Sequence, residues 1–215
     1  MSNKMSRMSW EAITLQLSNP FQVSYGVSQT RQAFWLRLAD DAGWGEGTIP
    51  PYYGIDPNEM IAYWKKMSQR TDPFPDDPAE IGAWVGEDGP APARCALDLA
   101  LHDRIGRQRD VPLYELLGLK RLLLLQGEKP FPIPTAYTIG IDTPEEMARQ
   151  AAQVANYPII KVKLGSENDL ERLTAVRAAR PDAELCVDVN GGWSVDEALA
   201  NIETLAQFKD RKSVV

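Results

Sequence analysis

The sequence predicts an α+β N-terminal domain followed by the first three βα units of a (β/α) barrel. Two patterns in its 215 residues predict this fold class. Residues 8–47 read as strands and are followed by helical segments, which is an α+β arrangement. From Pro134 onward strands and capped helices alternate, and such βα repeats of about 25–30 residues imply a parallel sheet with helices outside.

The N-terminal part is predicted to form two strands, a short return strand that makes a hairpin with the second of them, and two helices. Strands are expected at 9–17 and 32–38, and a turn at 40–43 leads into the return strand. The stretch 56–59, Asp-Pro-Asn-Glu, has the residues of an N-cap, a first-turn proline and a capping-box glutamate. A further helix is predicted at 91–108, where apolar residues recur at helical spacing.

The second half of the chain repeats one pattern three times. Strands are predicted at 135–141, 159–164 and 184–190. Each is followed by the capping-box pattern of a helix start, at Thr143, Asn168 and Ser194. A closed barrel is favoured over an open sheet, because charged side chains lie on the strand face opposite the helices. An open sheet with helices on both faces would bury those charges.

The charged side chains on these strands predict a site. Lys161 and Lys163 share one strand face, because the apolar residues around them take the other. Two ammonium groups are costly to bury unless the site holds anionic partners or uses a lysine in its chemistry. Asp188 lies 25 residues after Lys163, and Thr138 lies 25 before it, so the three are expected at equivalent places in successive repeats. Surface lysines on an exposed strand are the alternative, and the register with Asp188 favours the site.

Composition excludes several classes of function. The net charge of −7 argues against nucleic acid and against an anionic membrane surface as partners. Two cysteines are too few for a disulfide framework or a zinc site, so buried thiols in a reducing compartment are expected. No apolar run approaches the ~20 residues of a membrane span, and no signal peptide is recognised. The predicted location is the cytoplasm.

These motifs resemble the enolase superfamily, in its muconate-lactonizing branch, and within it the dipeptide epimerases. The resemblance runs from roughly Trp10 to Phe208. The matching stretches are 95–103 (Cys-Ala-Leu-Asp-Leu-Ala-Leu-His-Asp), 112–118 (Pro-Leu-Tyr-Glu-Leu-Leu-Gly), 137–144 (Tyr-Thr-Ile-Gly-Ile-Asp-Thr-Pro), 161–165 (Lys-Val-Lys-Leu-Gly) and the Asp-x-Asn-Gly-Gly-Trp strand end at 188–193.

The resemblance implies Mg²⁺-assisted removal of a proton next to a carboxylate, which gives an enediolate. Lys163 would then be the base, and Lys161 would lie beside the substrate carboxylate, each lysine disfavouring the charged form of the other. Asp188 would be the first metal-ligand carboxylate, in keeping with the preference of Mg²⁺ for oxygen ligands. Thr138 would contact the substrate, a small dipeptide or other carboxylate.

The resemblance also implies domain limits and missing parts. Residues 1–125 would form the capping (enolase N-terminal-like) domain and residues 126–208 a partial, TIM-like barrel. Members of the family carry a further Glu, Asp and Lys on later strands, whereas this sequence stops at Val215. Residues 209–215 are expected to be a non-native tail, because Asp-Arg-Lys-Ser-Val-Val is the translation of GATCGGAAGAGCGTCGTG, which resembles a sequencing adapter. The chain alone is therefore expected to show no turnover.

Two other functions stay open at this point. A muconate-type cycloisomerase or an o-succinylbenzoate synthase would share the two lysines and Asp188. A catalytically inactive binding protein would keep the same domains without turnover. A homo-oligomer is left open for a full-length protein.

Overall fold

A computed structural model describes residues 6–119, 134–208 and 212–214, the last three by their backbone alone. The chain divides into two compact units, one of Met1–Gln16 with Thr30–Phe131 and one of Leu17–Gln29 with Pro132–Val215. The predicted domain boundary at 125/126 lies outside the described residues. Residues 17–29, which the sequence analysis placed in the capping domain, group with the second unit.

In its described residues, the first unit combines an antiparallel sheet with four α-helices. Its strands are β1 (Met8–Val23), β2 (Gly26–Leu38) and β3 (Trp44–Thr48), in the order β1-β2-β3, and the tip of the β1–β2 hairpin belongs to the second unit. Its helices are α1 (Pro57–Ser68), α2 (Pro78–Val85), α3 (Ala91–Arg109) and α4 (Leu113–Leu116). The predicted hairpin, return strand and helices are all present, with β1 and β2 longer than expected.

The core of the first unit lies between its sheet and its helices. Phe34, Leu36 and Leu38 alternate along β2 and pack with Trp64 and Leu97, which are fully buried. Alternate residues of β2 therefore face the core, as the period of a strand requires. The expectation of two buried thiols is wrong: both cysteines are free, but Cys95 is exposed and Cys186 is half-buried. Cys95 lies on the solvent side of α3, whose core side is taken by residues such as Leu97.

The second unit contains a parallel sheet in the order β4-β5-β6-β7. The strands are β4 (Ala136–Ile139), β5 (Ile159–Lys163), β6 (Glu184–Asp188) and β7 (Lys212–Val214). Helices α5 (Pro144–Gln153), α6 (Asp169–Ala179) and α7 (Val195–Leu205) follow β4, β5 and β6 in turn. The predicted βα alternation is therefore confirmed. None of the helices in the described ranges is long and apolar enough to cross a membrane.

One face of the parallel sheet is covered by its helices. Ile160, Val162, Leu185 and Val187 are completely buried and pack in one cluster with residues of α5 and α6, such as Leu173. The lysines of β5 and the aspartate of β6 alternate with these residues and lie on the other face. The sheet therefore presents its charged side chains away from the helices, as the sequence predicts.

The strand register differs from the predicted one in the first repeat. Lys163 is level with Asp188, as expected, but Thr138 is level with Lys161 rather than with Lys163. The difference is two residues, which is one full period of a strand. Thr138 therefore keeps the expected face of the sheet but lies two residues nearer the amino ends of the strands. Sequence spacing does not fix this offset, because it depends on where each strand begins.

The predicted helix caps are confirmed in part. The Ser194 side chain and Glu197 form a full capping box at α7, and Thr143 accepts a hydrogen bond from Glu146 N–H at 3.3 Å. Asn168 makes no such bond, because its φ of 66° is left-handed and an N-cap side chain needs extended backbone. At α1, Asp56 is the N-cap and accepts from Asn58 N–H, so the predicted box with Glu59 is wrong.

The predicted tail at 209–215 is described only at 212–214. There the backbone pairs in parallel with β6, with Lys212 level with Cys186 and Val214 level with Asp188. Residues 209–211 and 215 lie outside the described part of the chain. The non-native origin of the tail stays a prediction.

Candidate active site

The candidate site lies at the carboxyl ends of β5 and β6. Parallel pairing sets Lys163 directly beside Asp188, and the alternation of β5 brings Lys161 to the same face. Carboxyl ends of neighbouring parallel strands share one edge of a sheet, which is where functional side chains collect in barrels and open α/β sheets. Three of the four predicted site residues therefore meet.

The two lysines share one carboxylate oxygen. Asp188 Oδ2 lies 2.7 Å from Lys161 Nζ and 2.8 Å from Lys163 Nζ. Lys163 is the more enclosed of the two, since its side chain is 9% exposed and that of Lys161 is 34% exposed. Lys161 thus reaches solvent from the edge of the site, whereas Lys163 is held inside it.

Asp188 is a strongly stabilised anion. Burial by itself raises the pKa of its carboxyl group. The hydrogen bonds from Lys161 and Lys163, with a further one from Asn190 N–H, outweigh burial and lower the pKa from 3.8 to about 2. The carboxylate is therefore charged at neutral pH and serves as the shared counter-ion of both lysines.

Asn190 completes the surroundings of Lys163. Its amide oxygen accepts a hydrogen bond from Lys163 Nζ at 2.7 Å, and its backbone N–H donates to Asp188 Oδ1 at 3.0 Å. Its φ is 50°, in the left-handed region that Asn tolerates better than most residues. The spacing of two from Asp188 predicts Asn190 on the same face, but it does not predict the contact of Asn190 with Lys163.

The tip of the β1–β2 hairpin reaches the same loops within the second unit. Ser24 Oγ donates to the Asn190 carbonyl at 3.2 Å, and Ile141 N–H donates to the Gln22 carbonyl at 2.9 Å. A Cβ atom built on Gly192 would lie 2.7 Å from the Cβ of Ser24. Glycine at that position thus lets the hairpin tip contact the loop after β6.

The loops after β5 and β6 are tied to each other by Asp169. Its Oδ2 accepts from Gly165 N–H at 2.8 Å and from Trp193 Nε1–H at 3.0 Å. A Cβ atom on Gly165 would lie 2.5 Å from the Val189 carbonyl oxygen, and the φ of Gly165 is 99°. The glycine therefore permits the close approach of the two loops that follow the charged strand ends.

Thr138 does not join this group. It is half-buried on β4, and no hydrogen bond found within the described ranges connects it to the lysines or to Asp188. Its level beside Lys161 leaves it on the same face of the sheet. Its role in substrate contact stays a prediction.

The described residues do not by themselves fit a Mg²⁺ site. Asp188 is the one carboxylate in the group, and one of its oxygens already faces two ammonium groups that repel a cation. No cluster of three or more His, Cys, Asp or Glu suited to a metal occurs within residues 6–119, 134–208 and 212–214. Mg²⁺ in proteins is held by one or two carboxylates together with water and substrate oxygens. Further ligands beyond these residues are thus required.

Comparisons with known proteins agree with the fold. Residues 146–210 match the family described as Enolase C-terminal domain-like. The chain is 35% identical to an L-Ala-D/L-Glu epimerase from Bacteroides thetaiotaomicron over 70% of this chain and 38% of that protein. It is 30% identical to the L-Ala-D/L-Glu epimerase from Escherichia coli over 89% of this chain and 57% of that protein.

Solved structures of dipeptide epimerases are also similar to this chain. The dipeptide epimerase from Cytophaga hutchinsonii, complexed with Mg and the dipeptide D-Ala-L-Val, superposes with a TM-score of 0.79 and 25% identity. The match covers 96% of this chain and 57% of that one, so the chain spans less than two thirds of the length of these relatives. In sequence and fold the chain is similar to dipeptide epimerases, and its residues 146–210 are similar to the enolase C-terminal-like domain.

Proposed function

We propose that the protein containing this chain epimerises dipeptides by removing the α-proton next to the free carboxylate and returning a proton on the opposite face. The observation that carries the proposal is the placement of Lys163. Its Nζ is enclosed at the end of β5, within hydrogen-bond distance of Asp188 and Asn190 and next to Lys161. The related epimerases support the substrate class.

In this proposal the residues of the chain have separate tasks. Lys163 removes or returns the proton on one face of the α-carbon, because it is the lysine held in a fixed position. Lys161, at the exposed edge, binds the substrate carboxylate through its positive charge. Asp188 fixes both ammonium groups by one shared oxygen. Thr138 lies on the same face and would contact the substrate.

We propose Mg²⁺ as the cofactor, in line with the Mg in the related Cytophaga hutchinsonii structure. Asp188 would contribute one ligand, and the other ligands and the base for the second face would come from outside the described residues. The same proposal assigns residues 126–208 to the first three βα units of a barrel and residues 1–125 to its capping domain. A cytoplasmic location stays a prediction from the sequence.

The test is proton exchange at the α-carbon. The protein expressed from its complete gene is incubated with L-Ala-L-Glu and Mg²⁺ in D₂O, and α-deuterium is followed by NMR. We expect deuterium at the α-carbon that bears the free carboxylate. Lys163→Ala should slow exchange from one face by about 10²–10⁴-fold, the usual contribution of a positioned base. Lys65→Ala, on the exposed side of α1, is the matched control and should exchange normally.

Three results would contradict the proposal. Absence of exchange across a panel of dipeptides would favour the binding-protein alternative. Exchange at the normal rate in Lys163→Ala would remove Lys163 as the base. Conversion of a muconate-type or succinylbenzoate-type substrate in place of exchange would assign the protein a different reaction of the enolase superfamily.

A further inference from the structure

We infer that Asn190 is a positioning residue for Lys163, and that Ser24 at the tip of the β1–β2 hairpin holds Asn190 in place. The inference rests on the proposed function, because it assumes that Lys163 is the base. It adds to that function a part of the chain far away in sequence, since Ser24 and Asn190 are 166 residues apart.

The first step of the argument is what holds Lys163. A lysine side chain has many rotamers, so one bond to a carboxylate leaves its position poorly determined. Asp188 Oδ2 is shared with Lys161, and the second oxygen on Lys163 Nζ, at 2.7 Å, is the Asn190 amide oxygen. Among the described residues, this oxygen accepts from Lys163, whereas Lys161 contacts Asp188 alone. Both lysines contact Asp188, but only the Lys163 ammonium group is also held by Asn190. Asn190 therefore fixes the position of Lys163 and not that of Lys161.

The second step is what holds Asn190. Its left-handed φ of 50° directs its amide back toward the strand end, and its N–H is bonded to Asp188 Oδ1 at 3.0 Å. Its carbonyl accepts from Ser24 Oγ at 3.2 Å. The residue is thus fixed at both of its backbone polar groups. Loss of the Ser24 hydroxyl removes one of these restraints without touching Lys163.

The chain offers matched variants for the test. Asn190→Gly keeps a residue that accepts the left-handed backbone but removes the amide oxygen, whereas Asn190→Asp keeps an acceptor oxygen and also tolerates that backbone. Asn168→Gly is the control, because Asn168 has a similar φ of 66° at the start of α6 and its side chain makes no cap hydrogen bond. Ser24→Ala tests the hairpin contact.

The readout is α-proton exchange measured separately from the two epimers of one dipeptide, in the full-length protein. In Asn190→Gly we expect exchange from the epimer served by Lys163 to fall about 10- to 100-fold, the range for one hydrogen bond to a charged group. Exchange from the other epimer should stay near normal. Asn190→Asp should recover most of the loss, Ser24→Ala should show a smaller loss on the same epimer, and Asn168→Gly should show none.

A structural measurement separates this inference from the proposed function. Crystal structures of wild type and Asn190→Gly show whether Lys163 Nζ moves away from Asp188 Oδ2. An equal loss on both epimers, or an unmoved Nζ with normal exchange, would overturn the inference. If wild type exchanges no dipeptide, the proposed function fails. The inference about Asn190 is then tested by the crystal structures alone. A displaced Lys163 Nζ in Asn190→Gly supports a positioning role, and an unchanged Nζ refutes it.

Discussion

At the residue scale, the group Lys161, Lys163 and Asp188 combines burial with charge. Two ammonium groups around one carboxylate leave a net positive site, which suits an anionic substrate. Removing the carboxylate would leave an enclosed lysine without its counter-charge, a change that is strongly destabilising in buried ion pairs. Asp188 therefore serves stability as well as the proposed chemistry, and its titration should be visible in unfolding experiments.

The first prediction concerns acid stability. The pKa of Asp188 is lowered in the folded state from 3.8 to about 2, so its contribution is fully present above about pH 4 and is lost as the pH falls toward 2. A shift of this size corresponds to about 2 kcal/mol. We expect the free energy of unfolding to fall by about this amount more in wild type than in Asp188→Asn between pH 5 and pH 2, measured by urea titration at each pH.

A surface carboxylate provides the comparison. The pKa of Glu146 is also lowered to about 2, chiefly by its hydrogen bond from Arg149, but this pair is exposed to solvent. Glu146→Gln should leave the acid dependence close to that of wild type, because exposed ion pairs contribute little. An acid dependence in Asp188→Asn equal to that of wild type would show that Asp188 is not the titrating group.

The sequence predicted part of this site and missed the rest for physical reasons. Alternation along β5 and β6 was enough to place Lys161, Lys163 and Asp188 on one face. The pairing of Thr138 with Lys161 rather than Lys163 was not predicted, because the register of strand pairing is not set by sequence spacing. Asn190 was missed since its role depends on a left-handed backbone and on contacts with Ser24, neither of which a local pattern shows.

At the element scale, the strand ends depend on the loops that follow them. The loop after β5 lies against the loop after β6, and Asp169 bonds to both. Sequence patterns indicate helix starts in these segments, but Asn168 has a left-handed φ and makes no cap hydrogen bond, while Asp169 accepts from the backbone N–H groups of Gly165 and Ser166. A loop fixed in this way holds the ends of β5 and β6 at a constant separation.

The second prediction tests this loop contact at Gly165. A side chain there would meet the Val189 carbonyl oxygen at 2.5 Å, and the φ of 99° is unfavourable for residues other than glycine. We expect Gly165→Ala to lower the free energy of unfolding by about 2–4 kcal/mol, measured by chemical denaturation. Gly191→Ala is the control, because Gly191 has a φ of 70° but open space around its Cβ position.

The control separates the two causes of the loss. Gly191→Ala carries the backbone cost alone, about 1–2 kcal/mol for a left-handed residue. The difference between the two variants then measures the steric contact between the loops together with the less favourable φ of Gly165, 99° against 70°. Equal losses in both variants would mean that the loops are not in close contact at Gly165.

At the scale of the whole molecule, each unit has its own core, and the units are not consecutive in sequence. The sequence pattern predicted the two kinds of architecture, since strand hairpins and βα repeats have different periods. It could not predict that residues 17–29 group with the second unit, because β1 and β2 continue through the tip without a change of pattern. Only the long-range contacts of the tip, such as Ile141 N–H with the Gln22 carbonyl, reveal it.

The last prediction tests the contribution of the hairpin tip to the second unit. Residues 21–28 are replaced by Asn-Gly, which closes a two-residue hairpin turn. The replacement removes the acceptor of Ile141 N–H and the donor to the Asn190 carbonyl. At about 0.5–1.5 kcal/mol for each hydrogen bond, deuterium exchange at the Ile141 amide should become about 5- to 100-fold faster.

The control lies in the first unit, where Leu38 N–H donates to the Gly43 carbonyl at 2.9 Å. Exchange at Leu38 should be unchanged by the replacement, because this hydrogen bond lies far along β2 from the tip and within the other core. Faster exchange at both amides would indicate general destabilisation of the fold. Unchanged exchange at Ile141 would mean that the second unit holds the end of β4 without the hairpin, and the role given to Ser24 would then lose its structural basis.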